Sequence, residues 1–86
     1  MTFARSAQKE LRGLPAHIIK KLMKWVDDVE QVGLEEVRKR PGWHDEPLQG
    51  KRADQRSVRL SIFYRAIYVV KDNVEVLVVE VNKHDY

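Results

Sequence analysis

The 86-residue sequence contains no cysteine and is sparing in proline (three), glycine (four) and aromatic side chains (8%). Without cysteine, neither a disulfide framework nor a thiolate metal site can form. Apolar runs extend over only a few residues, far short of the ~20 that span a bilayer. The charged first 14 residues lack the continuous apolar segment of a signal peptide. We therefore expect a soluble, cytoplasmic protein in which residues 1–86 form a single domain with one modest core.

The first half of the sequence carries helical patterns. Ser6 is a candidate N-cap of a first helix, and Gly13 suits the left-handed position just after its end. After Pro15, apolar residues recur at the spacing of an amphipathic helix: Ile18, Leu22, Trp25, Val26 and Val29. This pattern predicts a second helix of about 17 residues that ends at Gly33.

The second half changes to strand patterns. Residues 41–54 contain two prolines and two glycines without periodicity, which predicts a loop. Residues 56–60 alternate polar and apolar side chains, residues 64–70 are rich in strand formers, and residues 74–81 are apolar on both faces. Residues 2–5 are a candidate edge strand. The predicted fold class is α+β, with a two-helix hairpin packed on a small antiparallel β-sheet.

The net charge of +3 conceals an uneven distribution. Residues 51–65 contain a single acid, Asp54, and five basic residues: Lys51, Arg52, Arg56, Arg59 and Arg65. A basic segment in an otherwise balanced chain favours a polyanionic partner, most often nucleic acid. A solvated face of ordinary surface arginines is the alternative that charge alone leaves open.

Three groups of residues that could take part in acid–base chemistry or bind an anion lie before, on and after the predicted strands. Glu46 lies in the segment 46–51 before them, Arg59 and Arg65 lie on consecutive strands, and the sequence ends on His84-Asp85-Tyr86. Histidine exchanges protons near neutral pH, and a charged side chain in a core-like strand is costly without a role or a partner. Structural alternatives remain open for each group. They are an ion pair of Glu46 with Lys51 or Arg52, one of Arg65 with Glu80 or Asp85, and a solvated tail at the end.

Together with the opening segment 6–11 and Leu14-Pro15, these groups resemble the RelE/ParE superfamily of bacterial toxin–antitoxin toxins. The resemblance covers nearly the whole chain and is nearest to the RelE-, YoeB- and HigB-like branch. It implies two helices on a curved antiparallel sheet, and a metal-independent endoribonuclease that cleaves mRNA in the ribosomal A site by attack of the 2′-hydroxyl. It implies no cofactor. The implied partners are a cognate antitoxin, mRNA and the 70S ribosome with its 16S rRNA.

The resemblance also implies roles for individual residues. Glu46 matches the general base, Arg65 the contact to the scissile phosphate, and His84 with Tyr86 the general-acid pair. Close relatives have the histidine and tyrosine adjacent, whereas Asp85 separates them here. The residues expected to bind RNA are Lys51, Arg52, Arg56, Arg59 and Lys83.

The chemistry agrees with these roles, because metal-free RNA cleavage needs a base, an acid and fixed positive charge. Two other functions share the fold. One is a ParE-like DNA gyrase inhibitor without catalysis. The presence of both a candidate base, Glu46, and a candidate acid, His84, disfavours it. The other is a degenerate member that only binds antitoxin and acts as a corepressor. Trp43 is expected to anchor a loop on the helices rather than stack on RNA. His44 with Asp45 is too small a set to predict a metal site.

Overall fold

The computed structural model describes residues 1–73 and 75–83 and shows, within them, three α-helices packed on a five-stranded β-sheet. The helices are α1 (Arg5–Leu11), α2 (Ala16–Val32) and α3 (Leu34–Arg38). The strands are β1 (Thr2–Phe3), β2 (Glu46–Pro47), β3 (Arg56–Arg59), β4 (Tyr64–Lys71) and β5 (Glu75–Lys83). The predicted α+β class is confirmed.

Helix α2 forms as its sequence pattern predicts. It spans 17 residues and is terminated by the following Gly33, whose φ of 89° is a conformation that glycine adopts without a steric penalty. Its buried apolar side chains, Ile18, Leu22, Trp25 and Val29, come from the predicted stripe. No helix in the described parts of the chain is both long and apolar enough to cross a membrane.

The ends of helix α1 differ from the prediction. The helix begins at Arg5, so Ser6 is not its N-cap, and Gly13 is not in the left-handed region. The Ser6 hydroxyl instead donates a hydrogen bond to the carbonyl of Val79 at 2.8 Å. The Val81 amide in turn donates to the Glu10 carboxylate at 3.0 Å. These side chains therefore attach α1 to β5, a contact that local sequence does not reveal.

The sheet has the strand order β1-β5-β4-β3-β2. Strands β3, β4 and β5 form the predicted antiparallel meander. Strand β2, which was not predicted, pairs antiparallel with β3, whereas the edge strand β1 runs parallel to β5. The sheet is therefore mixed. The helices connect β1, at one edge, to β2, at the opposite edge, where the antiparallel strands begin. Val74, included in the predicted last strand, lies outside the described residues.

The sheet has two chemically different faces. A buried row runs across it from Val58 through Ala66 to Val81, three residues in register that join the core under the helices. The neighbouring row across the same three strands consists of Arg59, Arg65 and Asn82, each adjacent in sequence to a residue of the buried row. Because side chains alternate along a strand, this polar row lies on the other face, away from the core.

Candidate active site

A cleft of about 370 Å³ opens beside β2, β3 and the start of β4. It lies within the ~300–1,000 Å³ typical of ligand sites. Three predicted site residues, Glu46, Arg59 and Arg65, line it together although they come from three different strands. The fold thus brings a carboxylate and two guanidinium groups into one depression.

Arg59 and Arg65 are direct register partners on β3 and β4. Like charges placed opposite each other destabilise a sheet. Neither arginine has a carboxylate partner among residues 1–73 and 75–83. The alternative that Arg65 pairs with Glu80 is wrong, because Glu80 pairs with Arg52. An anion bound in the cleft would relieve the repulsion.

The buried Nε atom of Arg65 also favours a bound anion in the cleft. This atom has no hydrogen-bond partner in the described portion of the chain. A buried donor without an acceptor costs about 1–3 kcal/mol. An oxygen of a bound phosphate would satisfy this donor, and a guanidinium matches phosphate geometry well.

Glu46 reaches the cleft from the edge strand β2, where it pairs with Ser57 of β3. The sequence predicts a loop at residues 46–47, and that prediction is wrong, because they form β2. The strand has only two residues and includes Pro47, which lacks an N–H and is tolerated at a sheet edge. Glu46 is exposed and is not ion-paired with Lys51 or Arg52, so the structural alternative for this carboxylate is also wrong.

A buried hydrogen-bond network fixes the chain next to Glu46. The Asp45 side chain is 1% exposed and accepts from Arg56 Nε at 2.6 Å and from the Tyr68 hydroxyl at 2.5 Å. Tyr68 packs in the core against Trp25, with ring centroids 5.3 Å apart. Asp45 therefore attaches the chain beside β2 to the buried core, and Glu46 is the next residue.

The network raises the pKa of two of its members, Tyr68 and Arg56. Burial raises the pKa of the Tyr68 hydroxyl, and its hydrogen bond to Asp45 raises it further. Burial acts to lower the pKa of Arg56, but the hydrogen bond and charge of Asp45 outweigh it, so the pKa lies above its ordinary value. Arg56 is thus a fixed cation and Tyr68 a neutral donor at physiological pH.

The remaining basic residues of the predicted RNA-binding set lie outside the cleft. Arg52 pairs with Glu80, and Arg56 is committed to Asp45. Lys51 is exposed in the short 3-10 helix Gly50–Arg52, and Lys83 is exposed at the end of β5. Lys83 is the register partner of Tyr64, which lines the cleft. Their contact with RNA stays a prediction.

His44 is a cleft residue to which sequence reasoning gave no catalytic role. It is exposed, lines the cleft, and has a left-handed backbone with φ of 46°. That conformation is uncommon for residues other than glycine. The preceding Trp43 is buried, with Lys21 Nζ 4.7 Å from its ring centroid, which confirms its predicted role as a loop anchor. The only advance signal for His44 was its position two residues before Glu46.

The predicted general-acid pair belongs to the last residues of the sequence. His84, Asp85 and Tyr86 lie outside the described residues, so their assigned roles stay predictions.

The fold is that of the RelE-like toxins of bacterial toxin–antitoxin pairs. The chain is similar to the YoeB/ParE toxin from Agrobacterium tumefaciens, with a TM-score of 0.72 and 16% identity over 98% of this chain and 96% of that one. It is similar to the YoeB–YefM complex from Staphylococcus aureus, with a TM-score of 0.71 and 20% identity over 98% and 94%. It is also similar to the toxin–antitoxin complex RelBE2 from Mycobacterium tuberculosis, with a TM-score of 0.70 and 22% identity over 98% of this chain and 96% of that one.

Comparisons with protein-family models and with curated proteins find no match. The likeness to solved structures therefore shows the fold, and a fold by itself does not define a function.

Proposed function

We propose that this protein is the cytoplasmic toxin of a bacterial toxin–antitoxin pair and a metal-independent endoribonuclease that cleaves mRNA on the ribosome. The observation that carries the proposal is the cleft that Glu46 lines together with Arg59 and Arg65, two cations without a carboxylate partner among residues 1–73 and 75–83. This set supplies a base and two phosphate ligands. The similarity of the fold to YoeB and RelBE2 supports the same class of protein.

In the proposed mechanism, Glu46 removes the proton of an RNA 2′-hydroxyl, and the 2′-oxygen attacks the adjacent phosphorus. Arg65 and Arg59 stabilise the negative charge of the phosphorane, as preorganised donors do in many enzymes. His84, assigned from the sequence, donates a proton to the departing 5′-oxygen as the P–O5′ bond breaks. The products are a 2′,3′-cyclic phosphate and a free 5′-hydroxyl.

We further infer that a cognate antitoxin holds the toxin inactive. The structures of YoeB with YefM and of RelBE2 are complexes of this type. The cleft gives the partner's chemistry, because two cations without carboxylate partners in the described chain favour an acidic antitoxin segment. In the complex, such a segment would protect the basic residues 51–65 from hydrogen exchange.

Mapping the 5′ ends of cellular mRNA after brief expression tests the function. We expect new ends inside translated regions, in phase with the reading frame, and none in cells expressing Glu46→Gln. Intact mRNA with arrested DNA replication would instead support the gyrase alternative. Intact mRNA without growth arrest would support the non-toxic corepressor.

The pH dependence of single-turnover cleavage identifies the acid. The rate should rise as the base ionises and fall as the acid loses its proton. His84→Gln should lower the rate on the order of 10²-fold and remove the falling limb. His44→Asn, in which asparagine tolerates the left-handed backbone, should change the rate less than about threefold, within the scatter of a surface change. If His44→Asn removes the falling limb and His84→Gln does not, His44 is the acid.

A further inference from the structure

The connection between β3 and β4 exposes two large apolar side chains beside the cleft. Ile62 is 65% exposed and Phe63 is 59% exposed. Single exposed apolar residues are ordinary on protein surfaces. Two neighbours at the tip of one connection, one of them lining the cleft, are a candidate binding surface.

The connection is held in place by its own hydrogen bonds. Leu60 is 4% exposed and belongs to the core cluster. The amides of Leu60 and Ser61 both donate to the Tyr64 carbonyl, at 2.9 and 3.1 Å. The Ser61 hydroxyl oxygen accepts from the amides of Phe63 and Tyr64, each at 3.2 Å. Phe63 is therefore presented on a fixed backbone, which lowers the entropic cost of binding through it.

The charges beside this tip indicate what binds there. Ile62 lines the same cleft as Arg59 and Arg65, the register pair without described carboxylate partners. A suitable ligand must offer phosphates to the cleft and a flat apolar surface a short distance away. Single-stranded nucleic acid combines both, and aromatic side chains beside basic grooves commonly stack on its bases.

We propose that Phe63 is a stacking platform for an RNA base one or two nucleotides from the phosphate held by Arg59 and Arg65. This rests on the proposed function and extends it, because it assigns a base-binding subsite outside the catalytic residues. Every base has an apolar face, so the platform contributes affinity and register with little sequence preference.

Binding of an uncleavable probe tests the platform separately from catalysis. The probe is a fluorescein-labelled RNA hexamer with 2′-O-methyl riboses, which lack the attacking hydroxyl, followed by anisotropy. Phe63→Ala should weaken binding by about 5- to 150-fold, the equivalent of ~1–3 kcal/mol of stacking. Phe63→Trp should bind at least as tightly as the parent. Phe63→Leu should resemble Ala, because it keeps apolar area but lacks an aromatic face.

Val32→Ala is the matched control, since Val32 is 47% exposed at the end of α2. It should leave binding unchanged. A series of hexamers, each with one abasic position, then locates the stacked base. Loss of the base at one position should weaken binding of the hexamer to the parent protein and should not change its binding to Phe63→Ala.

Each of three results would overturn the platform. The parent protein shows no measurable binding of the hexamer, the Phe63→Leu protein binds it as tightly as the parent does, or no abasic position has an effect that depends on Phe63. Unchanged RNA binding by Phe63→Ala together with lost neutralisation by the antitoxin would make the tip a protein-binding surface instead. An abasic effect that depends on Phe63, found together with uncut cellular mRNA, would retain the platform and remove the nuclease proposal. Cut mRNA without such an effect would retain the nuclease proposal and remove the platform.

Discussion

Arg65→Ala is expected to abolish growth arrest and to lower single-turnover cleavage on the order of 10²- to 10³-fold, as loss of one preorganised transition-state donor does elsewhere. Arg65 lines the cleft, and its buried Nε has no acceptor among the described residues. Arg65→Lys keeps the charge but loses the planar fork that matches phosphate oxygens. We therefore expect lysine to restore only part of the rate.

Stability separates a catalytic Arg65 from a structural one. Because Arg65 faces Arg59 across the strand pair, the alanine variant loses a repulsive contact. Its free energy of unfolding should therefore stay within about 0.5 kcal/mol of the parent or rise. Arg12→Ala, at the exposed end of α1, is the control and should change neither activity nor stability. A folded Arg65→Ala protein with full toxicity would remove Arg65 from the mechanism.

The parts of the fold that were predicted correctly are those with local causes. The stripe of α2 repeats within one helix, and the alternation of β3 and β4 is read from a few neighbouring residues. The errors have distant causes. The Ser6 hydroxyl bonds to a carbonyl 73 residues away, and β2 is fixed by Arg56 and Tyr68, 11 and 23 residues from Asp45.

The basic segment shows the same limit in the candidate site. Its five cations look equivalent in sequence, yet the fold gives two of them carboxylate partners. Arg52 meets Glu80 and Arg56 meets Asp45, whereas Arg59 and Arg65 face each other in the cleft. Charge alone predicts a nucleic-acid partner, and only the pairing indicates which arginines are available to hold a phosphate.

Asp45→Ala is expected to destabilise the protein by about 3 kcal/mol, because it leaves a partly buried guanidinium and a buried hydroxyl without their acceptor. This is a large fraction of the ~5–15 kcal/mol that stabilises a typical domain. Urea unfolding followed by far-UV circular dichroism measures it. Asp54→Ala, an exposed aspartate with no described partner, should change the free energy of unfolding by less than about 0.5 kcal/mol.

The double variant Asp45→Ala/Tyr68→Phe tests whether the two residues act together. Tyr68→Phe alone removes one donor to Asp45, and in the double variant no orphaned hydroxyl remains. The combined loss should therefore be smaller than the sum of the single losses by more than about 0.5 kcal/mol. Losses that add within that margin would show that Asp45 and Tyr68 stabilise the fold independently.

The raised pKa of Tyr68 gives the same network an alkaline signature. The folded protein keeps the phenol proton to a higher pH than the unfolded chain, whose tyrosines ionise at about pH 10. The contribution of Tyr68 to stability is therefore complete below that pH and is lost as the pH rises above it. Tyr68→Phe should be less stable than the parent at about pH 8, and the difference should shrink by about pH 11. A difference that stays constant with pH would mean that the Tyr68 hydroxyl is not held by Asp45, and would leave the Arg56–Asp45 pair as the contact that positions the strand carrying Glu46.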